Sequence, residues 1–340
     1  MRPILLIGGY GVVGRQVARH LRARHPDLPL AIGGRSLEKA RALGDELGGV
    51  LAVTIDLNQR DLGLPMAEFS AMGVYVKDGG LNAMGFAGRH GIPSVSLSSA
   101  TFELGVDMVH GLRAAQNAPI VMASHWFSGA VTIPTILLAE RFDRVDSIDI
   151  GAVIDREDVT DGDDIGSGPA AAAEFEQVLL SCPSTLLRAD GGYVWVAGDR
   201  AQARFRRPDG VEIEGTVSVG CDTLSLATAT GARNVRLLET YGVSASRQAG
   251  GAACDEVYIR VTGRGRDAAP LEVGQVISIP RTAGSLTAIS QVIILERLLG
   301  LAGGPPPSPG LYMVEDVVDP SHFVDRMTEA GVRFSNGRTI

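Results

Sequence analysis

The chain has little cysteine, few aromatic residues and no excess of positive charge. Its three cysteines, Cys182, Cys221 and Cys254, form no close pair among the 340 residues, so neither a disulfide framework nor a thiolate zinc site is expected. The formal net charge of −8 argues against a nucleic acid or an anionic membrane as the main partner, although a local basic pocket for a phosphate is compatible with it. These absences favour a reducing, cytoplasmic compartment and a small-molecule partner.

Long hydrophobic runs are also scarce. Residues 120–139, IVMASHWFSGAVTIPTILLA, contain no Asp, Glu, Lys or Arg. His125, Gly129, Pro134 and several hydroxyl groups nevertheless favour a buried strand followed by a buried helix over a membrane span. The first apolar run of the chain is short and enters a glycine turn, so no signal peptide is expected.

The length of the chain and its 45% hydrophobic content suit two domains. Residues 1–124 alternate short apolar runs with helical patterns, which predicts a dinucleotide-binding Rossmann domain with a doubly wound parallel sheet. Residues 125–282 contain many β-like segments separated by turns, which predicts an α+β substrate or dimerisation domain with a mostly antiparallel sheet of about five to seven strands. Residues 283–340 return to a helix–strand–helix pattern, so we expect this segment to pack on the first domain.

A glycine-rich turn, Gly9-Tyr10-Gly11-Val12-Val13-Gly14, lies between the first strand and the first helix. In a dinucleotide-binding turn the first glycine permits the tight turn, the second lets the backbone approach a pyrophosphate, and the third lets the helix pack closely on the strand. The pattern therefore predicts a bound nucleotide. The alternative is a glycine turn that serves only the fold.

The end of the second strand indicates which nucleotide is bound. A protein that prefers NAD places Asp or Glu there, whereas this chain has Gly33-Gly34-Arg35-Ser36. Arg35 can hold the additional 2′-phosphate of NADP, Ser36 can donate to it, and Lys39 lies one turn into the following helix. NADP is therefore predicted, the alternative being a solvated helix start.

Asp56 follows the third strand in the sequence TIDLN. From this position a carboxylate can reach the adenine amino group of a bound nucleotide. A helix-capping or turn role explains the residue equally well.

Four stretches of the chain carry a resemblance to the saccharopine dehydrogenase-like oxidoreductases, in their bacterial branch. They are LLIGGYGVVGRQVARHL, AIGGRS, the strand–helix–strand of residues 73–99, and PSPGLYMVEDVVDPSHFVDRMTEAGV. The resemblance covers nearly the whole chain and implies a Rossmann domain, an inserted α+β domain, NADP and often a dimer. It also implies hydride transfer to or from a C–N bond between amino-acid-like partners. After the fourth strand, YVKDGG replaces the Gly-Pro-Tyr-like turn that is more usual in this family. The resemblance therefore does not identify saccharopine as the substrate.

The carboxyl end of the fourth strand faces the nicotinamide in this fold, which makes Tyr75, Lys77 and Asp78 candidate catalytic residues. Lys77 is the first candidate, either as a general acid for the nitrogen of the substrate or as a clamp on a substrate carboxylate. The alternative is a solvent-facing lysine at a strand end.

His125 is the second catalytic candidate, because it lies in ASHWFSG at the domain boundary and histidine titrates near neutrality. A structurally satisfied histidine under Trp126 is the competing interpretation. Ser98 and Ser99 follow the fifth strand, where they can donate to the nicotinamide amide or cap a helix.

The remaining candidates are weaker. Arg156 and Arg281 are possible carboxylate anchors. The acidic run of residues 155–164 lacks the ordered spacing of a calcium loop, so a solvated loop is favoured over a cation site. No histidine pair has metal-ligand spacing and no Ser or Cys sits in a nucleophile elbow, so neither metal catalysis nor hydrolysis is expected.

The sequence thus predicts an NADP(H)-dependent oxidoreductase acting on an imine or amine bond of a small, carboxylate-bearing metabolite. One alternative is a reductase of an enoyl or keto group on the same scaffold, and another is a non-catalytic NADP-binding regulator. An apolar helix around LTAISQVIILERLLG can supply a homodimer face or a core equally well.

Overall fold

The structure is a computed structural model that describes residues 2–65, 68–97, 100–155, 184–280 and 285–337. Within these residues the chain forms two compact units. The first unit comprises residues 2–124 and 287–318, and the second comprises the described parts of residues 125–286 and 319–337.

Seven parallel strands form the sheet of the first unit in the described part of the chain. They are β1 (Ile4–Ile7), β2 (Leu30–Gly34), β3 (Leu51–Thr54), β4 (Ala71–Val74), β5 (Ser94–Ser96), β6 (Pro119–Met122) and β15 (Gly310–Met313). Their spatial order, β3-β2-β1-β4-β5-β6-β15, is that of a Rossmann domain with one added strand. Strands β1, β2, β4 and β6 are buried throughout, which explains their nearly continuous apolar sequences. The predicted doubly wound fold is confirmed.

The helices of this unit follow the apolar spacing of the sequence. Helix α1 buries Val17, Ala18 and Leu21 on one face. The side chain of Ser36 accepts a hydrogen bond from the Lys39 N–H at 3.3 Å and so caps the next helix. The helices are α1 (Val12–Arg24), α2 (Leu37–Glu46), α3 (Asn82–His90), α4 (Leu104–Ala114) and α8 (Leu286–Leu298).

The second unit contains a mixed sheet, nine-stranded in the described residues. Its strands are β7 (Phe142–Ile154), β8 (Thr185–Ala189), β9 (Gly192–Val196), β10 (Gln202–Arg206), β11 (Glu212–Val217), β12 (Asn234–Tyr241), β13 (Cys254–Gly265), β14 (Pro270–Pro280) and β16 (Arg333–Gly337). Strands β12 and β7 pair in parallel, whereas the other pairs are antiparallel. The accompanying helices are α5 (Thr132–Ala139), α6 (Asp222–Thr230), α7 (Ala245–Gln248) and α9 (Pro320–Glu329). The predicted α+β character is confirmed.

The sequence predicts a sheet of about five to seven strands. The observed sheet is larger, because it also contains β8 and β16. Strand β16, with the sequence RFSNG, lacks an alternating apolar pattern. Among the described strands it pairs with β14 alone, at the edge of the main path of the sheet, where polar side chains are tolerated. Strand β8 has the sequence TLLRA, which does not alternate apolar and polar residues, so the sequence pattern does not predict a strand there.

The C-terminal segment divides between the two units, which differs from the predicted return of residues 283–340 as one piece. Helix α8 and strand β15 belong to the first unit, whereas α9 and β16 belong to the second. Phe323 and Met327, fully buried on α9, explain this placement, because the helix contacts α5 of the same unit.

The apolar stretch of residues 120–139 is a strand followed by a helix, as predicted. Residues 120–122 complete β6, and residues 132–139 form α5. Among the described residues, no helix has the length and apolar character needed to cross a membrane.

Candidate nucleotide site and polar clusters

The glycine turn lies where the strand order of the first sheet reverses, between β2 and β4. The Gly8 N–H donates to Gly33 O at 2.8 Å, and the Tyr75 N–H donates to Ile7 O at 2.9 Å. Gly8 has a φ of +75°, which a glycine adopts without strain. In open parallel sheets, ligands bind at such a reversal outside the carboxyl ends of the strands. The turn therefore has the location expected of a dinucleotide site.

Helix α1 packs closely on the glycine turn that precedes it. An added Cβ at Gly14 would lie 2.4 Å from the Gly8 carbonyl oxygen and 2.7 Å from Gly9 Cα, so only glycine allows this approach of α1 to the turn. Gly11 caps α1 without a side-chain hydrogen bond, and the first turn of α1 contains no acidic residue. The backbone N–H groups of Val12 and Val13 thus begin a helix whose positive end can receive a phosphate. The turn fits a pyrophosphate.

Tyr10 lies across the end of β2. An added Cβ at Gly34 would be 2.4 Å from Tyr10 Cε1, so the ring covers this glycine. The Tyr10 hydroxyl accepts a hydrogen bond from the Ser36 N–H at 3.0 Å. The Ser36 hydroxyl accepts from Lys39 and keeps its own proton for a further acceptor.

Arg35 and Lys39 are both exposed beside this turn. No hydrogen bond or ion pair reaches either side chain from the residues that the structure describes. Two unpaired cations next to a hydroxyl donor form a basic patch that can hold a phosphate. Glu38, also exposed in the first turn of α2, is the only acidic residue of that turn.

Asp56 takes part in a turn after β3. Its Oδ1 accepts from the Asn58 N–H at 2.9 Å, and its Oδ2 accepts from Gln59 Nε2 at 2.8 Å. The Gln59 hydrogen bond is the main reason why the pKa of Asp56 lies below its usual value. The turn role predicted for Asp56 is thus observed in the structure, and its contact with adenine stays a prediction.

Tyr75 is turned into the protein just after β4. Its side chain is only 9% exposed, and an added Cβ at Gly73 would lie 2.2 Å from its hydroxyl oxygen. That hydroxyl has no hydrogen-bond partner among the described residues, and burial raises its pKa well above the usual range. In this conformation the Tyr75 hydroxyl points away from the carboxyl edge where a nicotinamide would lie.

Lys77 and Asp78 each have a partner within the first unit. Lys77 Nζ donates to Glu103 Oε2 at 2.5 Å, and the same oxygen accepts from the Ala100 N–H at 2.9 Å. Asp78 accepts from the N–H groups of Asn82 and Ala83 at 3.1 and 2.7 Å and so caps α3. Burial raises the pKa of Asp78, although these hydrogen bonds oppose the shift. Asp78 therefore has a structural capping role, whereas Lys77 is held in an ion pair.

Glu103 was not predicted as a site residue from the sequence. A glutamate three residues after a helix start typically folds back to a backbone N–H, and the Ala100-to-Glu103 spacing carries that signal. Its pairing with Lys77 has no local signal, because the two residues are 26 positions apart.

His125 belongs to the second unit and is buried, with 6% of its surface exposed. Its Nε2 lies 2.8 Å from Ser225 Oγ. This contact favours the structural interpretation of His125, and its catalytic role stays a prediction.

A second polar group of the same unit, the Trp126 carboxylate cluster, consists of Trp126, Thr132, Asp222 and Glu239. The Trp126 backbone N–H donates to Asp222 Oδ2 at 2.7 Å, and its indole Nε1 donates to Glu239 Oε2 at 2.9 Å. The Thr132 hydroxyl donates to Asp222 Oδ1 at 2.5 Å. Burial raises the pKa of both carboxyl groups, that of Glu239 to about 7, with the Asp222 charge adding to the Glu239 shift.

The chain beside this cluster is in an unusual backbone conformation. Phe127 and Ser128 have φ values of 49° and 55°, and Gly129 has a φ of 93°. Successive left-handed non-glycine residues are strained and persist only when their surroundings hold them. The Asp222 hydrogen bond to Trp126, directly before the strained pair, is one such restraint.

Several predicted residues lie outside the described part of the chain. They are Ser98, Ser99, Arg156, Arg281, Cys182, the acidic residues 156–164 and the predicted helix start at 167–169. Among the described residues, no group of three or more His, Cys, Asp or Glu side chains is arranged to hold a metal ion.

No protein-family description and no curated protein sequence matches the chain. Solved structures do match. Apo saccharopine dehydrogenase (L-Glu forming) from Saccharomyces cerevisiae superposes with a TM-score of 0.66 at 12% identity, covering 99% of this chain and 100% of that one. The chain has the saccharopine dehydrogenase fold. At this identity the likeness concerns the fold alone.

Other solved structures resemble this saccharopine dehydrogenase fold more weakly. An oxidoreductase from Agrobacterium radiobacter, in complex with NAD+, L-tartaric acid and magnesium, has a TM-score of 0.48 at 12% identity and covers 98% of both chains. A meso-dapdh mutant from Clostridium tetani has a TM-score of 0.47 at 13% identity, covering 95% of this chain and 96% of that one. Likenesses of this strength carry no argument about activity.

Proposed function

We propose that the protein is an NADP(H)-dependent oxidoreductase that transfers hydride to or from an imine or amine bond of a small, carboxylate-bearing, amino-acid-like metabolite. One observation carries the proposal: the glycine-rich turn Gly8–Gly14 at the strand-order reversal, in which Gly14 has no room for a Cβ. In a doubly wound sheet this geometry leaves helix N–H groups for a pyrophosphate. The cofactor would supply the hydride.

Selectivity for NADP is supported by the end of β2. An acceptor for ribose hydroxyls is missing from Gly33 and Gly34, whereas Arg35 and Lys39 are exposed and unpaired among the described residues. An arginine fork can bind a 2′-phosphate through two parallel hydrogen bonds. Ser36, with its hydroxyl proton available, adds a third donor.

Lys77 is the residue to which we assign the proton of the reacting nitrogen or the clamp on a substrate carboxylate. Glu103 holds its ammonium group at the carboxyl end of β4. The inward position of Tyr75 and the capping role of Asp78 favour Lys77 over both of them. The C–N bond is proposed from the family resemblance, and a reductase of an enoyl or keto group is the alternative on the same scaffold. A homodimer and a cytoplasmic location belong to the same proposal.

Fluorescence titration of NADPH and NADH tests the cofactor assignment. We expect NADPH to bind more tightly than NADH, and Arg35→Ala to raise the NADPH Kd about tenfold or more, because a charge-assisted hydrogen bond is lost. Arg41→Ala removes the same charge from an exposed position further along α2 and should leave the Kd nearly unchanged. Equal binding of the two nucleotides to the wild type would overturn the NADP assignment.

A screen of amino acids with 2-oxo acids or aldehydes, followed by NADPH oxidation, tests the reaction. With a substrate identified, Lys77→Met should lower kcat/KM by about a hundredfold or more, the usual contribution of a general acid, while the NADPH Kd stays the same. An unchanged kcat/KM in this variant would remove Lys77 from the chemistry.

One observation favours a second candidate function, a non-catalytic NADP-binding regulator. Tyr75, Lys77 and Asp78 are respectively buried, ion-paired and capping, so each has a structural explanation. Tight NADPH binding without turnover across the screen would support this candidate over the enzyme.

A further inference from the structure

A cavity of about 240 Å³ lies within the first unit, between the carboxyl halves of β4 and β5 and the helices α3 and α4. Its inner wall is apolar and includes Met72, Met84 and Ile120. Its polar lining includes Lys77, Asp78, Glu103 and Asp107. The cavity is smaller than the roughly 300–1,000 Å³ that drug-sized ligands occupy, so it suits a short chain and not a nucleotide.

The ionisable residues of this lining are three carboxyl groups and one amino group, which favours a cation over an anion. Two of the carboxylates already have donors. Glu103 accepts from Lys77 and from a backbone N–H, and Asp78 accepts from two backbone N–H groups. These two groups are therefore satisfied without a ligand.

Asp107 is the exception. It is 92% buried, since only 8% of its surface is exposed. Among the residues that the structure describes, no hydrogen bond or ion pair reaches its carboxyl group. Neither of its carboxyl oxygens is among the fully enclosed polar atoms that lack a partner, so both stay open to a donor that enters the cavity from outside the chain.

The position of Asp107 relative to the apolar wall restricts the donor. Asp107 follows Glu103 by four residues, so both lie on the same face at the start of α4, and Val106 beside them is exposed. A ligand that uses the whole cavity needs a cationic head for Asp107 and an aliphatic stem for the Met72 and Met84 side. A bare metal ion would leave the apolar wall without a contact.

We infer that this cavity binds the terminal ammonium group of a short aliphatic amine, with Asp107 as its counter-ion. Binding of an amine in this cavity does not depend on the proposed oxidoreductase function. The interpretation of the amine as one end of the substrate does rest on that function. The substrate class thereby becomes an amino compound with an aliphatic ammonium arm.

The test uses three probes of matched size: n-butylamine, n-butanol and butyrate. Their affinities are measured by ligand-observed NMR on the full chain without nucleotide, at constant ionic strength. We expect n-butylamine to bind at least tenfold more tightly than n-butanol, and butyrate to bind most weakly. Asp107→Asn, which keeps the shape of the side chain, should weaken n-butylamine about tenfold and leave n-butanol unchanged.

Asp45→Asn is the matched control, because it makes the same substitution at an exposed position on α2 of the same unit. It should leave all three affinities unchanged. Equal affinities for n-butylamine and n-butanol, or unchanged n-butylamine binding in Asp107→Asn, would overturn the inference. Guanidine-terminated probes that bind better than n-butylamine would overturn the assignment to an ammonium group.

An NADPH titration of the same samples separates this inference from the proposed function. Selective amine binding without NADPH binding would leave the cation pocket standing and remove the oxidoreductase. NADPH binding without amine selectivity would do the reverse.

Discussion

The glycine turn and the Trp126 carboxylate cluster both fix the positions of hydrogen-bonding groups. The turn does so through its backbone, and the cluster does so through its side chains. The turn, residues 8–14, depends on glycines at positions where an added Cβ would meet neighbouring atoms. The cluster depends on side-chain acceptors, and each of its hydrogen bonds joins residues that are 90 to 113 positions apart in sequence. A site of the first kind is damaged by adding atoms, and one of the second kind by removing them.

Removing the Asp222 carboxyl group should have the largest effect. Asp222→Ala leaves the Trp126 N–H and the Thr132 hydroxyl without acceptors, and relaxation of the strained pair after Trp126 offsets this only in part, so we expect a loss of about 3–4 kcal/mol in the free energy of unfolding. Urea denaturation followed by tryptophan fluorescence measures it. Asp222→Asn retains one acceptor and should cost about half as much. A loss below about 1 kcal/mol in the alanine variant would show that the cluster does not hold this segment.

Adding one methyl group to the turn should come next. The new Cβ of Gly14→Ala meets the Gly8 carbonyl and Gly9 Cα, which are backbone atoms that cannot move aside, and we expect a loss of about 2–3 kcal/mol. Gly105→Ala is the matched control, since its Cβ on α4 meets no atom within 4 Å. It should gain about 0.5–1 kcal/mol from helix propensity. Similar changes in the two variants would contradict the steric interpretation of the turn.

Glu239 gives the cluster a dependence on pH that the turn lacks. Its carboxyl group has a pKa of about 7 in the folded chain and about 4.3 in an unfolded one, so the folded state retains a proton that the unfolded state loses. The stability of the wild type therefore falls as the pH rises from about 4.3 to 7, and is unaffected by this group outside that window.

Glu239→Gln removes this loss while its amide oxygen still accepts from Trp126. We expect the variant to exceed the wild type by about 1–2 kcal/mol at pH 8, with the difference vanishing near pH 4, in urea titrations at several pH values. Glu68→Gln, at an exposed site, should show a small and constant difference. A constant difference in Glu239→Gln would place the pKa of Glu239 near its ordinary value.

The smallest expected effect concerns Tyr75. Its hydroxyl is buried without a partner among the described residues, so Tyr75→Phe should raise the free energy of unfolding by about 1 kcal/mol. Tyr258→Phe is the opposite control, because that hydroxyl donates to Glu256, and its loss should destabilise the chain. A destabilised Tyr75→Phe would mean that the hydroxyl has a partner in solution.

The features that follow from neighbouring residues could be predicted from the sequence. The glycine turn, the Ser36 cap and the Rossmann strands depend on spacings of a few residues, and the strand order follows from right-handed crossovers. The membrane-like stretch of residues 120–139 was separated into strand and helix by its glycine, proline and polar residues. These are local physical constraints.

What could not be predicted depends on contacts distant in sequence. Nothing near Asp222 indicates that it accepts from Trp126, and nothing near Lys77 indicates Glu103. Strand β16 is polar because its position at an edge makes no demand for apolar residues, so periodicity gives no signal for it. The inward turn of Tyr75 depends on the absence of a side chain at Gly73, on the same strand two residues earlier.

The Tyr10 ring over Gly34 also constrains how this protein can change over generations. An acidic residue at position 34, at the end of β2 where NAD-binding proteins usually carry one, would meet the ring in its present position, with its hydroxyl bonded to the Ser36 N–H. A side chain at position 34 therefore requires the Tyr10 ring to move or a smaller residue to replace Tyr10. Substitutions at positions 10 and 34 are expected to be coupled, so that the effect of one depends on which residue occupies the other.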